Sequence, residues 1–254
     1  MSISTTPVVT GKLGKLPARL DVRTLSLGRY VDRAELPTPP AELDLTEKVS
    51  DWPMYANDLV GDCTTAAAGH MIEAWTAAVH GQAVEITEAS ALAAFDRVKL
   101  VDPATGEEGA IELDVLKEWR KNGIGDHRIG AFARVSVHDH ELLSTAAWLF
   151  GGLYIGLQMP LSAQGQTTWD WLGRLTGPAR PGSWGGHAVD IVRYGADSLT
   201  VVTWGRLQEL TWRFWDRYCE EAYCILSPDF LDGNHAPNGF DLKALRADLA
   251  LVTA

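Results

Sequence analysis

Residues 62–80, DCTTAAAGHMIEAWTAAVH, constrain the fold more than any other stretch. The alanine-rich run, with Ala67, Met71, Trp75 and Ala78 on one face, predicts a long helix with Asp62 as its N-cap. A helix with such a face needs a partner surface, and the downstream pattern supplies one. Further helices are predicted over 88–99 and 111–121, the latter closed by Asn122-Gly123. A strand-like alternation at 131–137, a helix at 140–149 and a buried strand at 152–158 follow. After a Gly/Pro/Trp loop at 164–184, HAVDIVRYG and SLTVVTWG read as two strands joined by a turn at 195–198. A short aromatic helix at 210–220 and a last strand at 222–226 complete the chain. Helices first and sheet later favour an α+β fold over an alternating doubly wound one. There is no internal repeat.

The chain has 254 residues and a net charge of −11, so nucleic acid is not expected as a partner. Its longest apolar-looking stretch, 145–157, is too short for a membrane helix and is broken by Gly151, Gly152 and Gly156. No membrane partner is therefore expected. Residues 1–15 lack the apolar core of a secretory signal, and three cysteines make no disulfide framework, which predicts a reducing, cytoplasmic setting. The charge is uneven: residues 1–33 hold six bases against two acids, hence +4, leaving −15 for the remainder. The expected organisation is an extended arm and Pro-rich connector over 1–45, a domain over 46–230 (helical half 46–130, sheet half 131–230) and a tail over 231–254. The arm docks either on the chain's own acidic body or on a partner.

Among the cysteines, Cys63 stands apart. It occupies the first turn of the predicted long helix, where free N–H groups and the helix dipole favour a thiolate. A nucleophilic thiol needs a base, and His187 opens a predicted strand behind two glycines that would let a substrate backbone approach. Asn57, six residues before Cys63, could offer an amide to an oxyanion.

In these residues the sequence resembles the papain-like cysteine peptidases. Gly61-Asp62-Cys63 stands where their nucleophile motif opens a long helix. His187-Ala188-Val189 with Tyr194-Gly195 resembles their histidine strand, and Trp204-Gly205 their closing Trp-Gly. Asn57 takes the position of the oxyanion glutamine. The resemblance covers roughly residues 50–228, and the Cys-to-His separation of 124 residues (187 − 63) agrees with it. It implies a helical half opening at the cysteine and an antiparallel sheet or barrel half carrying the histidine. It also implies cleavage of peptide or amide bonds, with Cys63 as nucleophile, His187 as base and Gly61, Gly186, Trp184 and Trp204 along the substrate cleft. Two departures stand out. Val202 and Thr203 replace the family's ring-orienting Asn-Ser, leaving Thr203 as the candidate to hold the imidazole. No recognisable inhibitory prosegment precedes the core, so zymogen control is not expected.

The other candidates carry less. His70 reads as a core or surface histidine, and Cys219 and Cys224 as buried thiols. His138 and His140 lack further metal ligands, and 102–114 lacks the acids of a calcium loop, so neither a metal nor a cofactor is expected. Trp169 and Trp171, with Trp184, lie in the loop before His187 and either border the cleft or bury that loop. Two functional readings remain: a thiol hydrolase with a peptide or protein substrate, or a silent papain-like scaffold. The pattern including KLGKLPAR also resembles proteins of phages and their hosts. That resemblance implies a virion location and a capsid-associated role anchored by the arm.

Overall fold

The 62–80 stretch forms the helix Cys63–His80, ended by Gly81 at a φ of 77°. The computed structural model describes residues 11–31, 36–103, 105–232 and 235–238. In chain order its elements are α1 (Leu27–Tyr30), β1 (Leu43–Asp44), α2 (Cys63–His80), α3 (Glu88–Val98), β2 (Leu100–Val101), β3 (Glu108–Gly109), α4 (Glu112–Lys121) and β4 (Ala131–Arg134). There follow α5 (His140–Phe150), β5 (Leu153–Met159), β6 (Thr168–Trp169), β7 (Gly185–Tyr194), β8 (Ser198–Thr203), β9 (Arg206–Thr211), α6 (Trp212–Tyr218) and β10 (Cys219–Leu226). Residues 1–10 of the expected arm and most of the 231–254 tail lie outside the described residues.

The fold is α+β, with helices in the first half and one large sheet in the second. Helix α2 is buried from Cys63 to Ala77, on every face rather than the one face its apolar spacing picks out. The reason is position: β7 and β8 cover one side, while α3, α4 and the turn Pro228–Phe230 cover others. Trp75 anchors it, stacked on Trp119 of α4 at 5.7 Å and donating its indole N–H to the Gly151 carbonyl at 2.7 Å. Burying so large a ring with its one donor satisfied contributes on the order of several kcal/mol.

The sheet runs β4-β10-β5-β7-β8-β9-β6, with β1 also paired to β7. All pairs are antiparallel except β6 with β9. Strand β7 is central and almost wholly buried, which places His187 in the interior facing α2. The expected helix at 210–220 is corrected at both ends. Residues 206–211 form β9, hydrogen-bonded to β8 through an alternation of buried Gln208 and Leu210 with exposed Leu207 and Glu209. The helix begins only after Thr211, whose side chain caps the Phe214 N–H at 3.1 Å. It ends at Tyr218, and Cys219 already belongs to β10, so Cys219 and Cys224 share one strand. All three cysteines are free.

Candidate active site

Cys63 is the first residue of α2, as the sequence predicts, but the local chemistry differs from a simple cap. The Asp62 side chain makes no capping bond. Its backbone carbonyl accepts Thr65 N–H and Ala66 N–H at 2.8 and 3.0 Å. Its carboxylate instead accepts from Asn57 Nδ2 at 3.1 Å, and the second oxygen is buried without a partner. Burial pushes the Asp62 carboxyl up to about 7, with the Asn57 bond pulling the other way.

In this form Asn57 is tied to its own loop. Its amide also donates to the Val60 carbonyl at 3.2 Å, so both amide hydrogens are engaged beside the thiol rather than directed into the cleft. The physical cause is competition: a buried carboxylate five residues away is a stronger acceptor than any group the cleft offers in this form.

His187 lies on β7, and the strand register decides its partner. Thr203, at the end of β8, meets His187 Nε2 at 2.6 Å, whereas Val202 is buried in a separate apolar cluster with Trp52. After Thr203 the chain reverses through Trp204 and Gly205, at φ 47° and 69°. Two positive-φ residues are what a two-residue I′ hairpin turn requires, and a tryptophan there is strained. The strain lays the indole against the histidine, with ring centroids 4.6 Å apart and planes 18° from parallel. Trp184 packs against Trp204 in turn, at 5.5 Å, and Trp169 meets it edge-on at 6.2 Å. Trp171 does not join them; Arg217 lies over its ring at 4.9 Å.

The imidazole is therefore held on one nitrogen and one face. Its other nitrogen, Nδ1, is buried with no hydrogen-bond partner, and Cys63 Sγ accepts from the Ala188 N–H at 3.4 Å. Both groups are 1% exposed. Burial pushes the thiol up to about 12, an effect the Ala188 N–H only partly offsets, and pulls the imidazole down to about 3. In this form the pair is a neutral thiol and a neutral imidazole.

The N-terminal arm packs against the residues that flank this pair. Residues 11–16 run between the two halves, making backbone hydrogen bonds to both walls. On the helical side, Lys12 N–H donates to Asn57 O (2.7 Å), Leu16 N–H to Ala110 O (2.9 Å) and Ala110 N–H to Gly14 O (2.8 Å). On the sheet side, Gly14 and Lys15 N–H donate to Gly186 O (3.3 and 3.1 Å), and Trp204 Nε1 donates to Lys12 O (3.0 Å). Gly14 passes so near Gly61 that a Cβ on it would fall 1.8 Å from the Gly61 carbonyl oxygen. So Gly61, Gly186 and Trp204, expected along a substrate cleft, all touch this segment. Of the two expected places for the arm, residues 11–16 lie on the chain's own body, between its two halves.

Sequence reasoning missed the groups that hold the arm. Lys15 is buried and donates to Glu220 Oε1, with Glu221 Oε1 at 2.8 Å. Arg19 pairs with Asp114, and Asp21 with Lys117 and Arg23. The adjacent Glu220-Glu221 at a strand start was the available signal. Elsewhere His70 is a core histidine, its Nε2 2.8 Å from Pro53 O. His140 pairs with Asp216 and stacks on Trp212. Among the described residues no cluster of metal ligands occurs, and no helix is long and apolar enough to cross a membrane.

No family model and no curated protein sequence matches the chain. Solved structures do. Xylellain, a cysteine protease from Xylella fastidiosa, aligns with a TM-score of 0.61 at 16% identity, over 87% of this chain and 98% of that one. Procathepsin B S9 from Trypanosoma congolense aligns at 0.59 and 12%, over 87% and 88%. A Carica candamarcensis cysteine protease in complex with E-64 aligns at 0.53 and 16%, over 74% and 98%. The chain has the papain-like cysteine-protease fold.

Proposed function

We propose that the chain is a thiol hydrolase of peptide or amide bonds whose cleft is closed, in the form described, by its own N-terminal arm. The observation that carries this reading is the constellation at the helix–sheet junction. A cysteine begins the central helix, and a histidine on the facing strand is oriented by Thr203 and Trp204 with Nδ1 left unbonded. Once the arm leaves, water and substrate replace it and the burial that holds the thiol neutral is relieved. His187 Nδ1 then takes the thiol proton as sulfur attacks the carbonyl carbon, and the carbonyl electron pair moves to oxygen. The pair returns to carbon as the amine leaves with the proton from His187. Water, deprotonated by the same imidazole, cleaves the thioester and frees Cys63. Donors for the transient oxyanion would include Asn57 only after it lets go of Asp62.

Lys15 and Arg19 of the arm pair with acids of the chain's own body, which supports docking on that body over the capsid-anchoring alternative. The test is hydrolysis of a fluorogenic peptide amide by the full chain carrying Gly14→Val, which cannot keep the arm seated. Cys63→Ala and His187→Ala in that background should each lower the rate on the order of 10³-fold or more. A rate indifferent to Cys63→Ala would end the reading.

A further inference from the structure

The site that receives Lys15 has features of its own. Its ammonium is enclosed by the side chains of Glu220 and Glu221 and accepted by the Leu16 carbonyl at 3.2 Å. Glu112, at the start of α4, is 0% exposed, and neither of its carboxyl oxygens has a hydrogen-bond partner; burial and the neighbouring Glu221 and Glu220 raise its pKa, and the Lys15 ammonium pulls the other way. Gln158 Nε2 holds the far oxygen of Glu220 at 2.6 Å, and Tyr223 OH that of Glu221 at 2.8 Å. The carboxylates are thus fixed from behind and directed at one point. Beneath the lysine stem lies Gly156, where a Cβ would fall 2.1 Å from Lys15 Cε, so any other residue on this strand would fill the space. Glu112 and Glu221 are buried and Glu220 is partly covered, and carboxyl groups gathered this closely are costly without a cation between them. The fold thereby maintains an enclosed, negatively charged socket with room for one long basic side chain.

The socket opens beside the Cys63–His187 pair. The residue that fills it, Lys15, donates its backbone N–H to Gly186, immediately before the histidine, and Gly14 rests on Gly61, two residues before the cysteine. We propose that the Glu112, Glu220 and Glu221 socket is the recognition pocket for a lysine side chain in extended peptide substrates, with Lys15 occupying it as an internal stand-in. The inference rests on the thiol-hydrolase reading of this cleft. It adds the substrate class: peptides with a lysine one side chain's reach from the bond presented to Cys63.

The test separates binding from catalysis. The full chain carrying Cys63→Ala with Lys15→Ala, and in parallel Cys63→Ala with Gly14→Val in case the first variant does not fold, is titrated by calorimetry. The probes are acetyl-Gly-Lys-Leu-amide and its norleucine analogue, which keeps the stem and lacks the ammonium. The lysine peptide should bind at least about tenfold tighter, as expected of charge-assisted hydrogen bonds in a buried site. Adding Glu221→Gln should erase most of that preference. Equal affinity for the two peptides, or no binding of either by a folded variant, overturns the socket. Because Cys63 is absent, these outcomes do not depend on hydrolysis. Failure of the fluorogenic assay with a lysine preference intact would remove the hydrolase and leave the socket.

Discussion

Cys63 of the unaltered chain should react with iodoacetamide at neutral pH roughly a thousandfold more slowly than an exposed thiol, and opening the arm should recover at least a hundredfold. The first figure follows from ionisation. A thiol pushed from 9.0 up to about 12 carries about a thousandfold less thiolate well below pH 9, and the thiolate is the reactive species. Enclosure by the arm slows the reagent further. Gly14→Val should reverse both effects, because its Cβ would overlap the Gly61 carbonyl and the segment cannot remain between the walls. Lys15→Ala should act in the same direction by a different route, leaving Glu112, Glu220 and Glu221 without their cation. The measurement is a time course of carbamidomethylation resolved by mass spectrometry, with Cys224, buried in the sheet, as internal reference. Unchanged Cys63 labelling in both variants would mean that the arm does not govern access to the thiol.

Stability should fall as pH rises from 6.5 to 8, the reverse of what a chain rich in acids ordinarily shows on leaving the acid range. Glu73, on the buried face of α2, is pushed up to about 8 by burial, against the Tyr55 hydroxyl that donates to it. Asp62 is pushed up to about 7, and Asp190 and Glu112 are raised as well, in each case chiefly by burial. A carboxyl whose folded value is raised keeps a proton that the unfolded chain releases. Its stabilisation is complete below the unfolded value near 4.5 and is lost as pH rises through 8. His70 and His187, lowered by burial to about 4 and 3, act with the opposite sign, but only below about 6.5, where the unfolded imidazoles protonate. Above that pH this opposition ends, and His127, raised by its bond to Asp229, adds to the decline because its stabilisation is also lost as pH rises. Glu73 by itself should account for on the order of 1 to 2 kcal/mol between pH 6.5 and 8. Urea unfolding at the two pH values should show the decline, and Glu73→Gln should reduce it by that share. A stability that rises with pH, or a decline unaffected by Glu73→Gln, would contradict the assignment.

The parts of the molecule legible in sequence are those fixed by local periodicity. The long helix at Cys63, the histidine strand and the strand after the 195–198 turn follow from apolar spacing and turn chemistry within a few residues. Strand β9 was not legible, because RLQELT is short and runs directly into the aromatic segment WRFWDRY, whose helical character masks the boundary. The bond from Asn57 to Asp62 was not legible for a related reason. It is set by how the 55–62 loop folds back, with Tyr55 and Ala56 at positive φ, and no local pattern announces that. The course of the arm was the least accessible. Lys15 meets Glu220 and Glu221 across more than 200 residues, so only the assembled sheet brings the charges together. The +4 arm and −15 body indicate attraction without indicating that the meeting place is the cleft.

The central claim is that Cys63 attacks a carbonyl with His187 as its base, and an acyl-enzyme trap tests it most directly. The Gly14→Val chain is mixed with a peptide p-nitrophenyl ester, quenched in acid within seconds, digested and weighed. The account predicts one added acyl mass on the peptide containing Cys63. That adduct should be absent from Cys63→Ala, and both its formation and its decay should be slowed in His187→Ala. An acyl group found on another residue, or an opened chain that releases p-nitrophenol at the same rate without Cys63, would contradict it.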